Sequence, residues 1–272
     1  MLLAVRNFVD ALLPALQEAA ELARALEGQV RNRPKPGEVS DVKAALTHAD
    51  TAAQEALLRG LLVFRDCVEL EAEEDTPSVR HFRIGGEWKV VIDPIDGTYH
   101  SYLHRRGPYA VMLGLSRGGR YCAGLIALPR EQWCYTAVRG EGVRMLSAGG
   151  EVLQASLTKG ARRVLVSHEL PSVVAAALTE HGFEALPGCG GAVALAPLLP
   201  GFSGGLRVVP ESGSVSVRGR IGAFVAREAG AWVHCERGVE FPDDLDTPAC
   251  ALLTAADAET LTALEQALRA AH

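Results

Sequence analysis

Apolar residues recur at helical spacing at the start of the chain. Leu3, Val5, Phe8, Val9, Leu12, Leu13 and Leu16 share one face of a helix expected over about residues 2–27, with Gly28 as its stop. Pro14 lies inside this stretch and is expected to kink it. The polar, proline-bearing segment RNRPKPGEVSDVK separates it from a second helical pattern that opens near Asp50 and carries Leu57, Leu58, Leu61, Leu62 and Phe64. Thr47 and Asp50 suit a helix start, because their side-chain oxygens accept backbone N–H groups that lack partners there. Residues 67–83 are acidic and then broken by Pro77. The period then changes. Residues 88–93, YAVMLGLS, YCAGLIAL and WCYTAV read as strands, with Gly118-Gly119 and PREQ as the turns of an antiparallel run.

Beyond about residue 150 the strand patterns RRVLVS, GLRVVP, AWVHCE and CALLTA alternate with helical ones. The helical patterns are PSVVAAALTEHG, GGAVALAPLLPG, RGRIGAFVAREAG and an Ala/Leu-rich close from about 257. The segment AVALAPLL is apolar enough to lie in a core. The reading is an α+β half over 1–150 and an α/β half over 151–272, without internal repeats.

Composition narrows the function classes. Of 272 residues 48% are hydrophobic, enough for a large core. The net charge of −6, with Lys and Arg scattered, excludes an ordinary nucleic-acid surface. No apolar run reaches the length of a membrane span, and Arg6 and Asp10 interrupt the first helix too early for an export signal. A cytoplasmic protein is expected. The six cysteines form no CxxC pair, which excludes a zinc knuckle or redox motif, and buried free thiols are expected.

The chemistry concentrates in VVIDPIDGT, residues 90–98. Pro94 holds Asp93 extended and fixes its own φ, and Gly97 permits a sharp turn. The two carboxylates are therefore presented from a stiff bend. Buried side by side they would repel, and one would take up a proton unless a cation joined them. Hard oxygen donors of this kind suit Mg²⁺. The alternative is an exposed Asp-Pro-x-Asp-Gly turn that merely ends a strand. Likewise Glu69, Glu71, Glu73, Glu74 and Asp75 are either a second acidic cluster or a solvated loop, and Thr47-His48-Ala49-Asp50 is either a site element or a helix cap.

Taken together and in order, these elements resemble the inositol monophosphatase family of Mg²⁺-dependent, lithium-sensitive phosphatases. The family's Asp-Pro-Ile/Leu-Asp-Gly-Thr is matched in full by residues 93–98, its Glu-Glu pair by Glu73-Glu74 and its Thr-x-x-Asp by Thr47 and Asp50. Its Glu-Ala-Gly-Gly is matched by Glu228-Ala229-Gly230, with Ala231 in the last place. The resemblance spans roughly residues 40–240 and implies a layered αβαβα sandwich of the inositol monophosphatase and fructose-1,6-bisphosphatase type. It implies that Glu73, Asp93 and the Ile95 carbonyl hold a first Mg²⁺, and that Asp93 and Asp96 contribute to a second. Thr98 paired with Asp50 would activate the attacking water, with Glu73 counted among the catalytic groups. The N–H groups of Gly97 and Thr98 would cradle the phosphate. A homodimer acting on a phosphorylated small molecule is the corresponding expectation.

One position departs from that pattern. The family carries a further metal-ligating aspartate ten residues before the Glu of Glu-Ala-Gly-Gly; here that position is Arg218, and residues 212–227 contain no acid. A guanidinium about 5 Å from a dication at an effective dielectric of about 20 is repelled by on the order of 6 kcal/mol. One ion is therefore expected and the second is weakened or lost. Either Arg218 replaces a metal and clamps a substrate phosphate, or the site has decayed and Arg218 pairs with orphaned aspartates. The first makes a one-metal phosphatase or a protein that binds a phosphorylated ligand without hydrolysing it. The functional alternatives are an enzyme hydrolysing an inositol, sugar or cyclitol phosphate, with a nucleotide bisphosphate as the less favoured substrate, and an impaired member that binds a phosphorylated small molecule or acts as a structural partner. Glu211, seven residues before Arg218, stands where related chains contact polyol hydroxyls, and is otherwise a surface acid. His100 and His104 are expected to pack rather than react.

Overall fold

The computed structural model describes residues 4–38, 40–147, 150–209 and 213–270. Helix α1 (Val5–Leu26) buries Phe8, Val9, Leu12 and Leu16 and contains Pro14. After the short α2 (Asp41–Ala44), α3 (His48–Leu61) starts two residues earlier than expected. Thr47 Oγ1 accepts the N–H of Ala49, and the Asp50 carboxylate accepts the N–H of Thr47.

A seven-stranded sheet follows: β1 (Val68–Glu71), β2 (Trp88–Asp96), β3 (Ala110–Arg117), β4 (Arg120–Leu128), β5 (Trp133–Val138), β6 (Gly142–Leu146) and β7 (Val152–Gln154). The strands lie in chain order, with β1 parallel to β2 and the others antiparallel. The first acids of that run, Glu69 and Glu71, thus lie in a strand and not in a solvated loop. Val68 is buried and Leu70 half-buried, alternating with Glu69 and Glu71, the mark of an edge strand with one wet face. Strand β2 also outruns its expected end by three residues.

The second sheet contains β8 (Arg163–Ser167), β9 (Glu184–Gly188), β10 (Gly204–Val208), β11 (Trp232–His234) and β12 (Ala251–Ala255), in the order β11-β12-β10-β8-β9. Four helices accompany it: α4 (Ser172–Glu180), α5 (Gly190–Leu195), α6 (Gly219–Glu228) and α7 (Ala258–Arg269). Neither β9 nor β6 and β7 stands out in the periodicity, since each is short, β6 and β9 are only partly buried and β7 is exposed.

Four cores separate five layers, one of them joining Ala194, Ala223 and Ala226 of α5 and α6 to Val233 and Leu252 of the second sheet. Helices α1 and α3 bury their apolar stripes on one face of the first sheet, against Val90, Ile92, Val111 and Leu113. The opposite face, with Val91, Ala110 and Met112, packs on α5 and α6 through Val193, Ile221 and Phe224. Helices α4 and α7 cover the outer face of the second sheet. The result is the expected αβαβα sandwich. The segment 192–199 is buried throughout, as its composition requires, and all six cysteines are free.

Candidate active site

Strand β2 explains how two aspartates three apart reach one place. In a regular strand such residues point to opposite faces. Here Asp93 lies opposite Met112 and Asp96 opposite Ala110, so three steps on β2 match two on β3. The extra residue is a bulge at Pro94-Ile95, where proline's missing N–H breaks no ladder bond. Both carboxylates consequently face the α5–α6 layer, while Ile95 is buried in the α1–α3 core. Asp93 is 6% exposed and belongs to the strand, not to an exposed turn.

Gly97 ends the strand with φ 90°, a left-handed conformation that favours glycine. A Cβ there would lie 2.6 Å from the Cβ of Cys189. The backbone then winds into a single wide turn, Thr98–Leu103. This puts Thr98 Oγ1 2.9 Å from Asp50 Oδ1 and 2.8 Å from the Ile95 carbonyl oxygen, to either of which its one proton can be donated. Asp50 Oδ2 accepts from the Thr47 N–H at 2.7 Å and the Thr47 hydroxyl at 2.6 Å. Burial pushes the Asp50 carboxyl up to about 6, against the opposing pull of its bonds to Thr47 and Thr98.

The acidic pair before β2 is held from behind by α3. Gln54 Nε2 donates to the Glu74 carbonyl at 2.6 Å, and its Oε1 accepts the Glu74 N–H at 2.9 Å. Two protein cations meet these acids. Lys35 Nζ lies 2.6 Å from Glu74 Oε1 and 3.6 Å from Glu73 Oε1. Arg218 Nε lies 3.7 Å from Asp93 Oδ2 and 3.9 Å from Glu73 Oε2. Burial opposes the charge on both cations, but the neighbouring carboxylates outweigh it and raise both pKa values. Lys35 was not legible as a site residue: it stands 38 positions before Glu73, in a proline-bearing loop, and only its N–H bond to the Ala44 carbonyl (2.8 Å) places it here.

Arg218 therefore faces Asp93 and Glu73, whereas Asp96 Oδ2 accepts the Gly191 N–H at 2.6 Å. Arg220, two residues on, points elsewhere and donates to the carbonyls of Val215, Asp244 and Thr247. Burial, with Glu73 and Asp96 nearby, pushes the Asp93 carboxyl well above the usual carboxylate range, Arg218 opposing. Among the described residues no three His, Cys, Asp or Glu side chains are disposed to hold a metal ion. Glu73 is engaged by Lys35 and Arg218, and Asp96 by Gly191. One observation does point to a cation: Asp93 Oδ1 is buried and has no partner.

These groups line a cleft of about 280 Å³ together with Gly97, Thr98, Tyr99, His100, His168 and Arg207. His100 and His168 stack at 4.5 Å, and His168 Nε2 lies 3.0 Å from Ser101 Oγ. Burial lowers the pKa of His100, and lowers that of His168 to about 4 with help from His100 and Arg106, so both are neutral packing groups at pH 7. His104 packs edge-on against Tyr99. Glu211 lies outside the described residues. Sequence reasoning also passed over His168 and Arg207, which come from β-strand ends of the second half with no motif around them.

A model of the inositol monophosphatase family matches residues 6–186. The chain is 28% identical over 133 residues to the 3'(2'),5'-bisphosphate nucleotidase CysQ of Salmonella typhimurium, covering 46% of this chain and 52% of that protein. The CysQ of Escherichia coli matches to the same extent, so the chain spans about half the length of the curated relatives it matches. Among solved structures it is similar to the IMPase of Thermotoga maritima, with TM-score 0.70 at 18% identity over 94% of this chain and 96% of that one. It is likewise similar to the extragenic suppressor protein SuhB of Bartonella henselae, with TM-score 0.71 at 18% identity over 97% and 98%. With the family model covering well over half its length, this chain belongs to the inositol monophosphatase family.

Proposed function

We propose that the chain is a phosphomonoesterase acting on an inositol phosphate or a related sugar or cyclitol phosphate, and that it works with one Mg²⁺ rather than two. What carries the reading is the Thr98–Asp50 hydrogen bond at the end of the bulged strand, in one cleft with Asp93 and Asp96. Mg²⁺ dependence is general to the family. The residues fit one ion: the orphaned Asp93 Oδ1, the free oxygen of Asp96 and the second lone pair of the Ile95 carbonyl would hold it. They do not fit a second, because the Arg218 guanidinium lies between Asp93 and Glu73. Bound there, Mg²⁺ would neutralise the phosphoryl oxygens and the leaving alkoxide.

The protein's own groups supply the rest. Thr98 Oγ1 orients the attacking water with a lone pair, takes its proton and passes its own proton to Asp50 Oδ1. A carboxyl with a pKa of about 6 is largely ionised at pH 7.5 and close enough to that pH to serve as acceptor. The N–H groups of Gly97 and Thr98 open the turn Thr98–Leu103, where the first donors have no partner within the turn, and cradle the phosphate. A homodimer in the cytoplasm belongs to the same proposal; among the described residues no helix is long and apolar enough to cross a membrane.

Arg218 favours a second reading, a member that binds a phosphate ester without turning it over. A phosphate-release assay over inositol, sugar and nucleotide phosphates, with and without Mg²⁺, separates the two. Mg²⁺-dependent release is expected from the wild type. Arg218→Asp should tighten Mg²⁺ binding at least tenfold, measured by calorimetry. Absence of release on every ester from both proteins would sink the enzyme reading.

A further inference from the structure

The turn Thr98–Leu103 is held from outside the cleft. Behind it runs a segment, residues 104–109, that returns the chain to β3. This segment contains two left-handed residues, Gly107 at φ 80° and Arg105 at φ 55°. For arginine that conformation is strained, and it persists only where neighbours fix it. One side chain fixes it on both sides. Arg130, in the turn between β4 and β5, donates from Nη2 to the Ser101 carbonyl at 3.1 Å and from Nη1 to the Gly107 carbonyl at 2.6 Å. Nη2 also donates to Glu27 Oε1 at 2.5 Å, just past the end of α1. The guanidinium lies 5.2 Å from the centre of the buried Tyr109 ring. Three N–H groups of one planar fork thus meet three parts of the chain, two of them on either side of the strained residue.

Each contact bears on the cleft. Ser101 belongs to the turn that Thr98 opens, and its carbonyl is among the last of that turn, which lack donors within it. Gly107 packs against β9 so closely that a Cβ on it would lie 1.9 Å from the Pro187 carbonyl oxygen. Next to it, the Pro108 carbonyl accepts the N–H of Cys189 at 3.2 Å, and Cys189 lines the cleft with Gly188 and Gly190. Arg130 therefore spaces the turn from the wall that the second half supplies. It does so from an open hollow of about 500 Å³ that it lines with Arg24, Glu27 and Arg105. We infer that Arg130 is a positioning residue: by holding the carbonyls of Ser101 and Gly107, it sets the place of the Gly97 and Thr98 N–H groups and of the Thr98 hydroxyl against the second half of the site. This rests on the reading of the cleft as a phosphate-ester site. Misplacing reacting groups by about 1 Å can cost on the order of 10²-fold in rate.

The test compares Arg130→Ala and Arg130→Lys with the wild type in the full chain. The readouts are kcat and KM on inositol 1-phosphate with Mg²⁺, calorimetric binding of inorganic phosphate, urea unfolding, and hydrogen exchange over residues 97–108. In Arg130→Ala, kcat should fall by about tenfold or more, a larger change than the rise in KM. Phosphate should bind more weakly, and exchange should rise over 97–108 but not in α3 or α6. Guanidinium ion, added well below the concentration that unfolds the protein, should enter the hollow and restore part of the turnover in a saturable way. Arg130→Lys keeps a charge beside Glu27 without the fork. It should recover stability but less than about a third of the lost turnover, and it decides the matter if Arg130→Ala folds poorly. Where the wild type binds phosphate but does not turn over the ester, phosphate affinity decides in place of kcat. Turnover and phosphate affinity of Arg130→Ala within about twofold of the wild type would overturn the assignment and leave the phosphatase reading intact. So would full recovery of turnover in Arg130→Lys, or a loss that tracks stability and does not respond to guanidinium. A wild type that binds neither phosphate nor the ester would overturn both.

Discussion

Asp50 is 2% exposed, yet the proposed chemistry asks it to be charged. Burial pushes its carboxyl up to about 6 from an ordinary value of 3.8. The native state therefore keeps a proton that the unfolded chain has already released between these values. Its effect on stability is most favourable below about pH 4 and fades as pH rises through 6, a loss of about 3 kcal/mol for a shift of roughly two units. Asp50→Asn removes that loss, so the variant should gain on the wild type as pH rises from 4 to 7, read from urea unfolding at each pH. Its turnover should fall by about 10²–10⁴-fold, because Thr98 loses its proton acceptor. A parallel pH dependence of stability in both proteins would show that Asp50 is not the titrating group. At Glu74 burial likewise raises the carboxyl above its ordinary value, with Lys35 and Arg218 opposing.

The element that makes the site is a strand with a fault in it. Without the bulge at Pro94-Ile95, Asp96 would join Ile92 in the apolar α1–α3 core. With it, both aspartates face the polar cleft and Gly97 turns the chain sharply away. Gly97→Ala forces a side chain into φ 90° and against Cys189. A loss of about 2–3 kcal/mol is expected in urea unfolding at pH 7, together with weaker phosphate binding. A loss under ~1 kcal/mol would mean the turn relaxes and the close approach to Cys189 is not required. The same close approach recurs at the start of α5 and α6, where a Cβ on Gly190 or Gly219 would meet the Arg207 guanidinium.

Across the whole molecule the cleft draws on both sheets. Asp93, Asp96 and Thr98 come from the first half, and His168, Gly190, Arg207 and Arg218 from the second. The halves that the sequence divides near residue 150 also share a core, since Val91, Ala110 and Met112 pack with Val193, Ile221 and Phe224. They should therefore unfold together. A single thermal transition is expected, and a phosphate ester at 100 times its Kd should raise the stability of that one transition by about 2.7 kcal/mol. Two transitions in calorimetry, only one of them shifted by ligand, would show that the halves fold independently and that the cleft belongs to one of them.

Much of this was legible in the chain itself, for reasons that are local. The helices α1, α3, α4, α6 and α7 and the strands β3, β4 and β5 follow from periodicity, because burying one face imposes a repeat on the residues that form it. Asp93, Asp96, Gly97 and Thr98 stand in a motif whose stiffness and turn are written in adjacent residues. The position of Arg218 and the lack of any acid over residues 212–227 could be read directly. Long-range geometry settled the remainder. Which acids Arg218 meets depends on how α6 packs between two sheets, and the answer is Asp93 and Glu73, not Asp96. Lys35 reaches Glu74 across 39 positions of chain, and Arg207 reaches the cleft past glycines 17 residues before it and 12 after. No local pattern records such pairings, because packing brings the partners together and neither one's neighbours carry a trace of the other.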